Sequence, residues 1–123
     1  MKMTVNDQHT EIQSLEQLDL ALNQIEALDT FELWVTTPNG PFMSMLRSGP
    51  HAFLMYLRFS GDAGFSSRAT TPMQGKVAFT LANGQVDEYP LSWCLEIEEC
   101  FQAIAHFLMH NGTKADWILW HED

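Results

Sequence analysis

Apolar residues recur along this chain with two different periods, and the switches between them outline the fold. Leu15, Leu18, Leu22 and Ile25 repeat at three- and four-residue spacing. This is the stripe of an amphipathic helix, which we place at about Leu15 to Ala27. Ser14 and Gln17 sit three apart at its start, a capping box in which hydroxyl and amide satisfy free backbone N–H groups. The same helical period returns at Ile97, Cys100, Phe101, Ile104 and Leu108, with Glu98 and Glu99 at the positive end of the helix dipole. A second helix is expected from Ile97 to His110, closed by Asn111-Gly112.

Between the helices the pattern is that of strands. Phe31 to Thr36 is rich in β-formers, and Thr37-Pro38-Asn39-Gly40-Pro41 turns the chain into a second strand from Phe42 to Leu46. His51 to Phe59 is a long apolar run suited to a central strand. The turn Gly61–Gly64 leads to a short strand from Phe65 to Ala69, and Thr70 to Gly75 is a loop. Lys76 to Leu81 and Gln85 to Tyr89 flank Asn83-Gly84, which predicts a hairpin with a two-residue turn of positive φ. Trp117 to Trp120 is a last strand. Alternation there places one tryptophan in the core and the other outward, beside His121, Glu122 and Asp123. The predicted fold is α+β, one domain over residues 1–123. An antiparallel meandering sheet of five to seven strands carries the two helices on one face.

Composition supports a globular chain: 46% of residues are hydrophobic and 18% charged. Behind Lys2 no apolar run follows, and no stretch approaches membrane-spanning length. Cys94 and Cys100 lie close together and can stay reduced. A cytoplasmic protein is expected.

Charge narrows the partners. Asp and Glu number 16 against 6 Lys and Arg, a formal net charge of −10. Between Glu32 and Asp87 the only acid is Asp62, while Arg47, Arg58, Arg68 and Lys76 all fall in that interval. The acids therefore crowd the two ends. Such a field repels nucleic acid and anionic membrane and steers a basic partner inward. Alone, it also fits a surface that merely keeps the protein soluble.

Candidate chemistry is sparse. His106 and His110 have the spacing of two metal ligands on one helix face, but Phe107 stands where a zinc protease carries Glu. Cys100 falls on an apolar helix face, where cysteine packs as a small core residue. Asp87 and Glu88 are adjacent on a strand and point to opposite faces, a poor catalytic pair. There is no phosphate-binding loop. No cofactor and no metal site is expected.

Several weak motifs occur in a telling order. After the first helix comes Pro41-Phe-Met-Ser-Met-Leu46, then Ala52-Phe-Leu-Met-Tyr-Leu57 and Gly61-Asp-Ala-Gly-Phe65. The hairpin Val77 to Gly84 follows with Glu88-Tyr-Pro90, then the second helix and Trp117-Ile-Leu-Trp120 with acids behind it. In this order the chain resembles the first-numbered immunity protein family of bacterial polymorphic toxin and contact-dependent inhibition systems. It departs from the family pattern where Thr113-Lys-Ala-Asp116 replaces a proline before the last strand. The resemblance implies a non-enzymatic cytoplasmic antidote that binds a cognate toxin C-terminal domain, often a nuclease or nucleic-acid deaminase. On charge and exposure, toxin contact is expected from Asp87, Glu88, Tyr89, Trp120, His121, Glu122 and Asp123, with Asp62 and Phe65 as a second patch. The competing reading is an acidic adaptor or small-ligand-binding domain. A homodimer would form if the Met- and Phe-rich strands lay at a sheet edge.

Overall fold

The computed structural model describes residues 1–123 except Asn39 and Pro72. Among the described residues, nine strands and two α-helices follow in the order β1 (Lys2–Val5), β2 (Gln8–Glu11), α1 (Leu15–Glu26), β3 (Thr30–Thr36), β4 (Phe42–Ser48), β5 (His51–Leu57), β6 (Phe65–Arg68), β7 (Lys76–Thr80), β8 (Val86–Pro90), α2 (Ile97–Met109) and β9 (Leu119–Glu122). Seven strands form one antiparallel sheet in the order β2-β1-β3-β4-β5-β6-β9. This is the expected α+β architecture.

Strand alternation builds two unequal cores. Phe31, Leu33 and Val35 of β3, Met43 and Met45 of β4, and Leu54 and Tyr56 of β5 point to one face. There they meet Leu18, Leu22 and Ile25 of α1 and Cys100, Ile104 and Phe107 of α2. The helical periods read from the sequence are thus the buried stripes. The α1 cap also forms, with Gln17 N–H donating to Ser14 Oγ at 3.1 Å. The Gln17 side chain reaches back to Gln13 N–H (2.7 Å) rather than to the Ser14 N–H.

The opposite face carries β7 and β8, which form a separate two-stranded sheet. Leu46, Phe53 and Phe79 are fully buried there, packed by Val77, Tyr89 and Trp93. Phe53 lies at the centre of an aromatic cluster, with ring centroids 5.1 Å from Phe79, 4.7 Å from Tyr89 and 5.6 Å from Trp93. The hairpin tip is fastened by Glu32, whose carboxylate accepts Ala82 N–H and Trp34 Nε1–H, both at 2.9 Å.

Three local expectations change. The Asn83-Gly84 turn has positive φ only at Gly84. Leu81 N–H donates to Gln85 O, so three residues, Ala82 to Gly84, close the loop. The two-residue turn with both φ positive occurs instead at Asn6-Asp7, joining β1 to β2. The last strand starts at Leu119, two residues later than its apolar run, and leaves Trp117 in a turn. The turn from Thr37 to Pro41 closes with Thr37 N–H on Pro41 O; its Asn39 lies outside the described residues, as does Pro72 in the loop before β7. The Met- and Phe-rich strands β4 and β5 are interior strands, already paired on both sides, so the edge pairing imagined for a homodimer is not theirs to make.

Candidate functional site

The site begins where the sheet turns from β5 into β6. Arg58 and Asp62 flank that turn, and the Asp62 carboxylate accepts Arg58 N–H (2.9 Å), Nε–H (2.8 Å) and Nη2–H (2.9 Å). A bidentate guanidinium–carboxylate pair of this kind fixes orientation as well as charge. The Arg58 side chain, the backbone N–H of Arg58 and that of Gly64 together hold the Asp62 carboxyl well below the usual carboxylate range. Gly64 has φ +76°, and a Cβ there would run into Leu57 and the Tyr56 carbonyl. Only glycine fits, and the tight approach sets β6 against β5.

β9 then pairs with β6, bringing Glu122 opposite Phe65 and His121 opposite Ser66. Asp123 N–H donates to Gly64 O at 2.8 Å, and Asp123 Oδ1 accepts from Ser66 Oγ (3.1 Å) and lies 3.2 Å from His121 Nδ1. Glu122 Oε2 stands 3.6 Å from Arg58 Nη2. Asp62, Phe65, His121, Glu122 and Asp123, read from sequence as two patches, are therefore one continuous corner of the sheet.

Trp120 also belongs to this corner, but not as an exposed anchor. It is half-buried; its indole N–H donates to Ala115 O (2.8 Å), and its ring lies 6.4 Å from Tyr56. The exposed tryptophan is Trp117, at 47%. Tyr56 Oη–H donates to Gly112 O (2.7 Å), tying the central strand to the end of α2, and burial pushes its phenol up.

Sequence reasoning placed no cation at this corner, where Arg58 and Lys114 stand and where Arg68 Nη1 donates to Ser66 Oγ at 2.9 Å. The Arg58 guanidinium lies 5.2 Å and the Lys114 ammonium 4.6 Å from the Phe65 ring centroid. Phe65 is thus flanked by positive charge, and the Asp62 charge is spent on Arg58. The i,i+4 spacing of Arg58 and Asp62 around Gly61 was the available signal; Lys114 is distant in sequence and gave none.

Asp87, Glu88 and Tyr89 lie elsewhere, on β8 across the other face of the sheet. Tyr89 packs against Phe53 and Trp93, and burial, then Asp87 and Glu32, push its phenol up. Glu88 is exposed, and Asp87 accepts from Gln85 Nε2 at 2.8 Å. Among the described residues neither carboxylate meets a basic side chain within ion-pair distance, nor do Glu96, Glu98 and Glu99 at the start of α2.

The other candidates settle into the framework. Cys100 is fully buried, and burial, then Glu99 and Cys94, push its thiol far above the ordinary range. The His106 and His110 rings stack at 4.1 Å, and the edge of Trp117 meets His106 at 5.2 Å. Burial and the neighbouring His110 pull the His106 pKa down, against a smaller upward effect of Asp116. Among the described residues, no group of three or more His, Cys, Asp or Glu side chains converges to hold a metal ion. No helix among them is long and apolar enough to cross a membrane.

What this geometry offers is a sheet corner of mixed charge and, on the other face, a hairpin carrying two carboxylates with no basic partner among the described residues. No curated protein matches the chain. A family model described as immunity protein Imm1 matches residues 6–122, nearly the whole length, and the chain belongs to that family of immunity proteins.

Proposed function

We propose that this immunity protein neutralises a secreted toxin whose C-terminal domain acts on nucleic acid, by laying an acidic surface over the toxin's basic substrate groove. A domain that handles DNA or RNA needs such a groove to hold phosphates. A protein of formal charge −10 is steered toward it and competes with the substrate. Binding takes place in the cytoplasm of the cell that makes both proteins, where free toxin does harm.

The observation that carries this reading is the placement of exposed carboxylates on held strands. Glu122 and Asp123 sit with His121 on the β6–β9 corner, and the exposed Glu88 on the hairpin beside a half-buried Asp87. Asp62, Phe65, Tyr89 and Trp120 support them: Asp62 locks the turn, and the three rings pack beneath the surface. Among the described residues, Glu122 is the only one of Asp87, Glu88, Glu122 and Asp123 within ion-pair distance of a lysine or arginine, at 3.6 Å from Arg58.

The test is co-expression with the toxin domain encoded beside this chain, followed by co-purification. A complex is expected, weakened by salt and by Lys substitution at Asp87, Glu88, Glu122 and Asp123 together. A complex whose affinity and salt dependence survive that quadruple reversal contradicts the acidic-surface mechanism. Absence of any complex contradicts the toxin reading itself.

A further inference from the structure

The seven-stranded sheet ends in two free edges, β2 and β9, and they differ. All four side chains of β2 (Gln8, His9, Thr10 and Glu11) are exposed and polar. β9 has Leu119 exposed at 53%, and Trp117 just before it at 47%. Because Asp123 N–H donates to Gly64 O, the bonded pairs of the β6–β9 ladder fall at Asp123, His121 and Leu119. Alternation in an antiparallel pair then turns the N–H and C=O of Trp120 and Glu122 outward. Their backbone is an unused ladder, held straight by the Trp120 indole on Ala115 O and by Asp123 on Gly64 and Ser66.

The geometry points to this edge as a template for an added strand: an extended, basic segment of the toxin domain pairs along β9. The proposal rests on the toxin reading above and adds the mode of contact. Charge selects the occupant through the whole chain rather than through the edge alone. Asp116, Glu122 and Asp123 lie along the edge, while Arg58 (3.6 Å from Glu122), Arg68 and Lys114 stand at the same corner. The field that draws in a lysine- or arginine-bearing strand is that of a chain at formal charge −10. Leu119 and Trp117 supply the apolar contact beside it, as in other cases of strand addition. A second copy of this chain would instead bring Glu122 and Asp123 of both copies to the same seam, each chain at formal charge −10. The short length of β9, four residues, limits the pairing to a segment of similar length.

Backbone amide exchange of the purified protein, alone and with the toxin domain encoded beside it, tests the edge directly. The Trp120 and Glu122 amides are expected to slow by about a hundredfold or more in the complex, with the β2 amides unchanged. Glu122→Pro removes one outward N–H and is expected to weaken binding about tenfold. Glu122→Gln keeps the N–H and is expected to lose less, in a salt-dependent way. A complex in which Trp120 and Glu122 exchange as fast as in the free protein overturns the strand-addition proposal and leaves the toxin reading standing. Protection that instead grows with concentration of this protein alone assigns the edge to a second copy and also overturns it. If no complex forms, both fall.

Discussion

The two faces of the sheet are built on different scales. The helix face buries side chains from β1, β3, β4, β5, α1 and α2 in one largely aliphatic core. The hairpin face buries three residues completely, Leu46, Phe53 and Phe79, and relies on aromatic contacts around them. The β6–β9 corner is laced into the first assembly by backbone pairing. The hairpin is laid on the second, fastened at its tip by one carboxylate. A surface that uses both regions therefore combines a fixed part, the corner with Glu122 and Asp123, and a part more easily lifted, the hairpin with Asp87 and Glu88. Stability within one domain is unequal in this way wherever a satellite cluster is small.

The sharpest way to break the comparison is to empty each core. Phe107→Ala and Phe79→Ala both remove a fully buried ring, and each is expected to cost about 3–5 kcal/mol. Their consequences should differ. Phe107→Ala lowers the midpoint of global denaturation. Phe79→Ala releases the amides of Val77 to Tyr89 to exchange well before those of β3 to β5. Equal exchange throughout the Phe79→Ala protein would show that the hairpin is no separate unit. A smaller effect is expected at the clasp. Glu32→Ala leaves Ala82 N–H and Trp34 Nε1–H without their acceptor, at a cost of about 1–2 kcal/mol by urea denaturation, with hairpin amides affected first.

Acid should act on the corner. The Asp62 carboxyl is held below its ordinary value in the folded chain, so its contribution is present above the unfolded carboxylate range and is lost as the pH falls. Wild type should therefore lose more stability than Asp62→Asn between about pH 5 and about pH 2. Parallel acid denaturation curves for the two proteins would argue against a role for the Arg58 clasp. The smallest effect belongs to His106, whose pKa is lowered by burial and by His110. Its neutral form is the one the fold prefers, so stability should decline slightly as the pH drops below about 6.5, and His106→Gln should flatten that decline.

Both helices were legible in the sequence because their apolar stripes and the Ser14 cap are local signals. The core strands β3 to β5 were legible for the same reason. β1 and β2 were not: Gln8 to Glu11 are all exposed, so no alternation marks them, and Asn6-Asp7 makes its turn without a glycine. The hairpin strands were found, but their detachment from the main sheet depends on Phe53 and Trp93 receiving Phe79 and Tyr89, contacts between distant segments. The corner was half legible. Its acids were named, yet their union with Asp62 and Phe65 depends on β6 pairing with β9 across the whole of α2. That pairing also moved the strand by two residues and decides which tryptophan lies outside. Trp120 packs inward because it lies on the helix side of the paired strand beside Tyr56, and Trp117 is left outside it.

The central claim is that charge brings this surface to a basic toxin groove. The association rate of the two purified proteins, followed from about 0.05 M to about 0.5 M salt, tests it most directly, since screening lengths shrink several-fold over that range. The account predicts a rate that falls steeply with added salt and falls less steeply for the protein with Asp87, Glu88, Glu122 and Asp123 changed to lysine. A rate independent of salt, or one equally steep for both proteins, would contradict it.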